Sequence, residues 1–347
     1  MKTLEHPALE LVLTMQRRIR EQVVAAFHGA AAEGLSDVAE DGEGDTLYAV
    51  DKVGEEALIE SLEAGAAALG GIVLIAEGIA GGKRTLPVGR DESACRYRVL
   101  VDPIDGTRSI MYQKRSAWVL TGVAPNRGDG TRASDIELAV QTEIPCSKQR
   151  LGDELVAVRG RGVRSERVDL DSGARTALSL RPSRASNIDH GYSSMIRFFP
   201  GGRGELAALD DRLVEGLLGP PVPGKAQCFE DQYPSTGGQL YELAVGHDRF
   251  VADLRPLVGR KLNQRGLPFG ACCHPYDASA MLIAEEAGVL LTDGAGEKLD
   301  FPLDLDTDVH WIGYANAALR ARIEPLLLAL LREHGLLVPS GELATKA

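Results

Sequence analysis

The chain carries the stretch Val101-Asp102-Pro103-Ile104-Asp105-Gly106-Thr107, in which two aspartates follow an apolar run. Residues 97–101 predict a buried strand, so both carboxylates come where that strand ends. Pro103 stiffens the turn, and Gly106-Thr107 offers backbone N–H groups. In open α/β sheets, the loops at strand ends converge on the crevice where ligands bind. The stretch therefore predicts a ligand site at the edge of a sheet.

Two further acids stand at comparable positions. Glu77 ends the apolar run 72–76, which predicts another buried strand, and Asp277 begins a predicted helix over 277–287. Taken singly, each acid has an ordinary explanation: Asp277 as a helix N-cap, Asp105-Gly106 as a turn and Glu77 as a surface residue. Gathered carboxylates repel one another unless they are protonated or neutralised by a cation. Mg²⁺ prefers oxygen ligands and shares its shell with phosphates, so the combination favours a magnesium site.

The remaining pattern alternates helices with strands. An apolar stripe from Leu11 to Phe27 predicts a first helix ended by Gly29, and a second helix is expected over 51–68. Further strands are predicted at 118–124, 136–142, 154–159, 249–254 and 289–292, and further helices at 204–218 and 237–245. This alternation predicts an α/β fold (α+β in some schemes). The Gly-, Ser- and Arg-rich residues 160–183 predict a boundary between an N-terminal α+β domain, 1–180, and a C-terminal α/β domain, 181–347.

Composition excludes several classes of protein. The 347 residues are 44% hydrophobic, which argues against disorder, and 38 Lys+Arg against 50 Asp+Glu give a net charge of −12. Such an acidic chain is not expected to bind a nucleic-acid polymer. No apolar run approaches the roughly 18 residues of a membrane helix, and the N-terminus lacks a signal-peptide core. Five scattered cysteines indicate reduced thiols, so we expect a cytoplasmic protein without a membrane partner.

Three motifs of other functional classes are absent or incomplete. A phosphate loop, G-x-x-x-x-G-K-[ST], would need Gly at Glu77 and Ser or Thr at Arg84. No G-x-G-x-x-G follows a predicted strand, and no G-x-S-x-G is present. Cys272, Cys273 and His274 suggest zinc, but no C-x-x-C pair accompanies them, which argues against a zinc site.

Residues 101–107 resemble the D-P-[IL]-D-G-[ST] signature of the inositol monophosphatase-like family, metal-dependent and lithium-sensitive phosphatases. Residues 274–280, followed by Glu286-Ala287-Gly288, are similar to the family's W-D-x-A-A and E-A-G-G motifs. Residues 75–77 resemble its glutamate-bearing strand, and residues 49–52 the helix start that carries a water-positioning aspartate. These four motifs occur in the family's order across residues 9 to 325. The resemblance implies a layered αβαβα sandwich of the sugar-phosphatase type.

The resemblance also implies roles for individual residues. Asp102 would bridge two Mg²⁺ ions, with Glu77 and the carbonyl of Ile104 completing the first site. Asp105 and Asp277 would hold the second ion, and Glu77 would help hold a weaker third through water. On this basis two to three Mg²⁺ are expected, with most of their ligands in the N-terminal domain. The C-terminal domain would complete the metal site and the substrate pocket.

The catalytic roles implied by the resemblance concern three side chains and two backbone groups. Thr107 and Asp51 would orient and deprotonate the attacking water, with Glu77 as a further catalytic residue. The N–H groups of Gly106 and Thr107 would bind the substrate phosphate. The expected protein is a homodimeric, Mg²⁺-dependent phosphomonoesterase that hydrolyses a small phosphorylated polyol or sugar by direct attack of water. Alternatives are a fructose-1,6-bisphosphatase, a 3′-phosphoadenosine 5′-phosphate phosphatase, and a non-catalytic homologue that binds metal or phosphate.

The chain departs from the family pattern mainly on the substrate side. Gly78 follows Glu77 where the family often has a second acid, and Tyr276 and Ser109 replace the usual Trp and Asn. The stretch 253–273 is longer than the inositol-specific connection, and Asp253 is its candidate acid for inositol hydroxyls. Residues 181–233 match no family segment. Their basic residues fit either a grip on a second phosphate or a solvated surface: Arg181, Arg184, Arg197, Arg203 and Lys225.

Overall fold

The computed structural model describes residues 4–29, 38–40 and 47–337. Eight strands form one mixed sheet. They are β3 (Ile72–Ala76), β4 (Lys83–Leu86), β5 (Tyr97–Asp105), β6 (Ala117–Pro125), β7 (Leu138–Ile144), β8 (Leu151–Val158), β9 (Gly162–Asp169) and β10 (Arg175–Ala177). Their order across the sheet is β10-β9-β8-β7-β6-β5-β3-β4. Only β3 and β5 are parallel neighbours within it; the other pairs are antiparallel.

Two long helices cover one face of this sheet. They are α1 (Leu9–Gly29) and α2 (Ala49–Ala66), and β1 (Val38–Glu40) pairs with β2 (Leu47–Tyr48) between them. Successive residues of a strand face opposite sides of the sheet, so alternate residues of β5 belong to different cores. Val99 and Val101 pack with Met15 in the core beneath the helices, whereas Leu100 belongs to the core on the other face. The central strands of this sheet are therefore buried on both sides. Shorter elements are α3 (Thr107–Met111) and 3₁₀ turns at Glu92–Ala94 and Ala133–Asp135.

A second sheet and five helices complete the fold. The elements are β11 (Tyr192–Met195), β12 (Asp248–Asp253), β13 (Leu290–Thr292), β14 (Trp311–Tyr314), α4 (Arg203–Leu218), α5 (Thr236–Val245), α6 (Arg255–Asn263), α7 (Leu282–Ala287) and α8 (Ala317–Glu333). The second sheet lies beyond the other face of the first, in the order β11-β12-β14-β13. Helices α5 and α7 lie between the two sheets, because α5 contacts β6 and β12, and α7 contacts β8 and β13. Helices α4 and α8 pack together and contact the second sheet as well.

This αβαβα arrangement confirms the fold predicted from the sequence. The two larger sheets fall on either side of residue 180, and the division into domains 1–180 and 181–347 stays a prediction. Most predicted elements are present with shifted ends; those not predicted are β1, β2, β4, β9, β10, β11, β14, α3, α6 and α8. Within the described part of the chain, no helix combines the length and apolar character needed to cross a membrane.

The predicted start of the helix at Asp277 is wrong, although its predicted end at Ala287 is correct. Residues 275–281 form successive turns, and α7 begins only at Leu282. The turns close with bonds between residues three apart, such as Ala278 N–H to the carbonyl of Pro275 at 3.2 Å. The carboxylate of Asp277 instead accepts the backbone N–H of His274 at 2.6 Å, so this aspartate caps a tight turn and not a helix.

Candidate metal centre

The predicted acids of the first half lie together because β3 and β5 are parallel. Their carboxyl ends therefore lie side by side, where Glu77 follows β3, and Asp102 and Asp105 lie at the end of β5. Asp102 pairs with Leu120 of β6 and Asp105 with Trp118, so β5 has one extra residue there. Residues three apart in a regular strand face opposite sides, and this bulge removes that alternation. The turn is fixed by the N–H of Ile104, which donates to Asp102 Oδ1 at 2.9 Å.

Asp277 joins these two aspartates from the second half of the chain. One carboxylate oxygen from each of Asp102, Asp105 and Asp277 lies within 4.8 Å of the others, and we call this group the acid trio. Asp102 is 2% and Asp105 4% exposed. The structure thus brings three of the predicted metal ligands together, two of them buried and Asp277 partly exposed.

Asp105 is held by the beginning of α5. Its Oδ2 accepts hydrogen bonds from Ser235 Oγ at 2.8 Å and from the backbone N–H of Gly237 at 2.6 Å. Ser235 is also the N-cap of α5, where its Oγ accepts the N–H of Gly238 at 2.9 Å. A Cβ at Gly237 would lie 2.5 Å from Leu120 Cδ2 and 2.9 Å from Asp105 Oδ2, so only glycine permits this approach. Neither Ser235 nor Gly237 was predicted from the sequence as a site residue. The available signal was a serine just before the helix predicted at 237–245.

Burial and mutual repulsion disfavour ionisation of the trio. Burial raises the pKa of Asp105 to about 7, although its hydrogen bonds from Ser235 and Gly237 act in the opposite direction. Burial, then the charges of Asp105, Glu77 and Asp277, raises the pKa of Asp102 well above its ordinary value. The pKa of Asp277 is raised for the same reasons. A divalent cation among these oxygens would remove the repulsion, and an all-oxygen donor set suits Mg²⁺, so the residues present fit this ion.

The other predicted site residues line the same cavity as the trio. Its walls include Glu77, Ile104, Gly106 and Thr107. Thr107 Oγ1 donates to the carbonyl of Ile104 at 2.7 Å, and Gly106 has a left-handed backbone with φ of 96°. Asp51 lies in α2, but its side chain is outside the described part of the structure.

Another part of the cavity wall is aromatic and basic. Phe198, Phe199, Arg108 and Arg255 line it. The guanidinium carbon of Arg255 lies 4.4 Å from the ring centroid of Phe198, and that of Arg108 lies 4.9 Å from Phe199. None of the five basic residues considered in the sequence insert lines this cavity. The insert instead contributes the two phenylalanines.

Asp253, the candidate acid for inositol hydroxyls, is turned away from the cavity. It is fully buried and accepts two hydrogen bonds from Arg255, Nε to Oδ1 at 2.8 Å and Nη2 to Oδ2 at 2.6 Å. Arg255 also donates from Nη1 to the carbonyl of Ala271 at 3.1 Å. Both carboxylate oxygens of Asp253 are therefore bonded to Arg255, two residues later in the chain, and Asp253 does not line the cavity.

No protein-family model and no curated protein sequence matches the chain. Solved structures do match it, at low sequence identity. Extragenic suppressor protein SuhB from Bartonella henselae is 15% identical with a TM-score of 0.63, over 93% of this chain and 98% of its own. Fructose-1,6-bisphosphatase from Leishmania major is also 15% identical, with a TM-score of 0.64 over 94% of each chain.

A third similar structure is a hypothetical protein from Pyrococcus horikoshii, described as having similarities to inositol-1 monophosphatase. It is 17% identical with a TM-score of 0.59, over 93% of this chain and 96% of its own. The chain therefore has the same fold as these three proteins. This confirms, at the level of the fold, the resemblance first seen in the motifs.

Proposed function

We propose that the protein is a Mg²⁺-dependent phosphomonoesterase that hydrolyses a small phosphorylated substrate. The observation that carries the proposal is the acid trio, three carboxylates held within 4.8 Å of one another in a cavity that also contains Glu77 and Thr107. Similar structures named as fructose-1,6-bisphosphatase and as inositol-1 monophosphatase-like support the same chemistry.

Two to three Mg²⁺ ions would be held by the trio, Glu77 and the carbonyl of Ile104. Bound there, they would lower the pKa of a water and stabilise the entering and leaving oxygens of an in-line displacement. Thr107 donates its hydroxyl hydrogen to the carbonyl of Ile104, and its Oγ1 would accept a hydrogen bond from the attacking water. Asp51 would take up the proton of that water. The hydroxyl and the aspartate thus position and deprotonate the nucleophile, without a covalent phosphoenzyme.

The substrate phosphate would lie against the turn after β5. The N–H groups of Gly106 and Thr107 stand at the start of α3, and the left-handed conformation of Gly106 turns the chain there. Backbone N–H groups in such a turn bind phosphate oxygens without a charged side chain.

The lining favours a substrate with a second anionic group over inositol monophosphate. Asp253, which would have accepted hydroxyl hydrogens of a neutral polyol, is engaged by Arg255. The guanidinium group of Arg108 lines the pocket in its place, and guanidinium groups pair with phosphate or carboxylate oxygens. A sugar bisphosphate or 3′-phosphoadenosine 5′-phosphate therefore ranks ahead of a phosphorylated polyol with one anion.

Phosphate release from a panel of substrates tests this proposal. The panel contains inositol monophosphate, a sugar monophosphate, a sugar bisphosphate and 3′-phosphoadenosine 5′-phosphate, each with Mg²⁺, with EDTA and with Li⁺. We expect Mg²⁺-dependent release, inhibition by Li⁺, and a higher kcat/KM for substrates with two anions. If Mg²⁺ raises the unfolding temperature but no phosphomonoester is hydrolysed, the protein is a non-catalytic metal- or phosphate-binding homologue.

Arg108→Gln separates substrate preference from catalysis. It should raise KM about 10- to 100-fold for substrates with a second anion, because one charge-assisted hydrogen bond is lost, and leave KM for monophosphates unchanged. The control is Arg181→Gln, since Arg181 is exposed and does not line the cavity. An equal effect on both substrate types would contradict the role of Arg108 in binding the second anion.

We further propose that the enzyme is a cytoplasmic homodimer whose partners are small phosphorylated molecules and neither nucleic-acid polymers nor membranes. The net charge of −12 supports the exclusion of polymers, and the family resemblance supports dimerisation. Sedimentation of the purified chain would measure the oligomeric state directly.

A further inference from the structure

A second cluster of metal-binding side chains lies beside the acid trio. One ligand atom each from Cys272, His274 and Asp308 lies within 4.8 Å of the others. Cys272 Sγ is 2.8 Å from Asp308 Oδ1, and His274 Nε2 is 4.0 Å from the same oxygen. The proposed phosphatase mechanism uses none of these three side chains.

The donor types differ from those of the trio. A thiolate, an imidazole and a carboxylate are the ligands of zinc-class ions, whereas Mg²⁺ takes oxygen ligands only. We infer that Cys272, His274 and Asp308 form a second metal site, selective for a zinc-class transition-metal ion. Three protein ligands leave the fourth tetrahedral position open to water or to an oxygen of a bound molecule.

The observed spacing is close to that of an occupied site. Tetrahedral zinc with ordinary bond lengths places its ligand atoms roughly 3.3–3.5 Å apart. The sulfur–oxygen distance of 2.8 Å and the nitrogen–oxygen distance of 4.0 Å each differ from that range by less than about 1 Å. The side chain of Asp308 is 54% exposed, so it can rotate to equalise them.

The backbone holds the three residues in place. Val309 N–H donates to the carbonyl of Cys273 at 2.8 Å, which fixes the Asp308 loop against the cysteine segment. The ring of His274 stacks on Tyr276 at 5.5 Å between centroids, and its Nδ1 is 3.4 Å from the Tyr276 hydroxyl. A hydrogen bond through Nδ1 directs Nε2 toward the metal, as is usual for ligating histidines.

The second site is linked to the acid trio through His274. Cys272 and His274 line the same cavity as Asp277, and the backbone N–H of His274 bonds to Asp277 Oδ2 at 2.6 Å. Two of the three ligands of the proposed site therefore lie in the wall of the proposed substrate pocket. Cys272 and Asp308 are 36 residues apart in the chain, which is why the search for a C-x-x-C pair argued against zinc.

Cobalt spectroscopy tests this site without reference to phosphatase activity. Co²⁺ is titrated into the whole protein in excess Mg²⁺, so that the acid trio is already supplied with its preferred ion. We expect one equivalent of Co²⁺ to give a thiolate-to-cobalt charge-transfer band, and one equivalent of Zn²⁺ to abolish it. Cys272→Ser should remove the band. Cys228→Ser should retain it, because Cys228 is the more accessible thiol and lies outside the cluster.

Asp308→Asn gives a second variant on an exposed side chain, so its folding is not in question. It should weaken Co²⁺ binding at least 10-fold, since one anionic ligand is lost. Absence of the band in the unaltered protein, its survival in Cys272→Ser, or unchanged Co²⁺ affinity in Asp308→Asn would each overturn the assignment. These outcomes do not depend on whether the protein hydrolyses any phosphate ester.

Discussion

Asp105 accepts a 2.6 Å hydrogen bond from the backbone N–H of Gly237, 132 residues further along the chain. This contact joins the carboxyl end of β5 to the beginning of α5, one of the helices between the two sheets. The orientation of a predicted metal ligand therefore depends on the packing of α5. It follows that substitutions at the start of α5 should affect metal binding without touching a carboxylate.

Gly237→Ala should destabilise the protein and weaken Mg²⁺ binding. The added methyl group would meet Leu120 and Asp105 at 2.5 and 2.9 Å, and overpacking of this kind costs about 1–3 kcal/mol. Urea unfolding and Mg²⁺ titration measure the two effects. The matched control is Gly204→Ala in α4, where the methyl group meets nothing within 4 Å and should stabilise by roughly 0.5–1 kcal/mol. Equal effects of the two substitutions would contradict the close approach at Gly237.

Asp105→Asn should lower kcat by orders of magnitude while the fold stays intact. The amide oxygen can still accept the hydrogen bonds from Ser235 and Gly237, but the negative charge that would hold the metal is gone. Steady-state kinetics and circular dichroism check both statements. Asp129→Asn is the control, because it makes the same chemical change on a side chain that is 94% exposed. Retained activity in Asp105→Asn would remove this residue from the metal site.

The metal-free protein should lose stability as pH rises toward neutrality. The pKa of Asp105 is raised to about 7 in the folded state, so its ionisation opposes folding. Below the ordinary pKa the Asp105 carboxyl group is protonated in both the folded and the unfolded state, so its contribution to stability is fully present there. Above it the unfolded state ionises first, and the loss of stability grows until about pH 7, where the folded state ionises as well. Mg²⁺ should reverse the loss, because a bound cation favours the ionised form.

Unfolding temperatures measured from pH 5 to 8, with and without Mg²⁺, test this dependence. Burial also raises the pKa of Glu143 and Asp248 to about 7 outside the trio, and that part of the profile should not respond to Mg²⁺. The comparison with Asp105→Asn isolates the contribution of the site. Parallel pH profiles for the two proteins would show that Asp105 does not titrate as stated.

The buried pair of Asp253 and Arg255 should show strong coupling. Arg255→Met leaves a fully buried carboxylate without its partner, which costs about 3–5 kcal/mol. The double variant Asp253→Asn, Arg255→Met should be more stable than the single one, because no charge is left behind. Urea unfolding of the full double-mutant cycle gives the coupling. The exposed pair of Arg212 and Glu333 is the reference, with an expected value of about 0–1 kcal/mol. Additive effects in the buried pair would contradict the prediction.

The sequence was informative where function follows from local pattern. Glu77, Asp102 and Asp105 were predicted because each stands at the end of an apolar run, and the runs are strands. Asp277 was identified by its motif, although its predicted helix begins five residues later, at Leu282. Patterns of this kind involve only residues close together in the sequence, so they can be recognised without the tertiary structure.

The contacts that depend on tertiary structure could not be read from the sequence. Gly237 reaches Asp105 across 132 residues, and Asp308 reaches Cys272 across 36. Edge strand β10 is exposed at all three positions, so it has no apolar alternation to reveal it. Helix α8 contains Pro325, a residue that normally ends a helical pattern.

The division of the trio between the two halves of the chain has a consequence for biosynthesis. A nascent chain that has emerged only as far as β10 contains Glu77, Asp102 and Asp105 but neither α5 nor Asp277. It has acids at the carboxyl ends of two strands but lacks the third aspartate of the trio. Tight capture of a cation by the trio would become possible only after residue 277 leaves the ribosome. Metal retention would thus mark a chain synthesised beyond residue 277, and a fragment terminated before that residue would lack it.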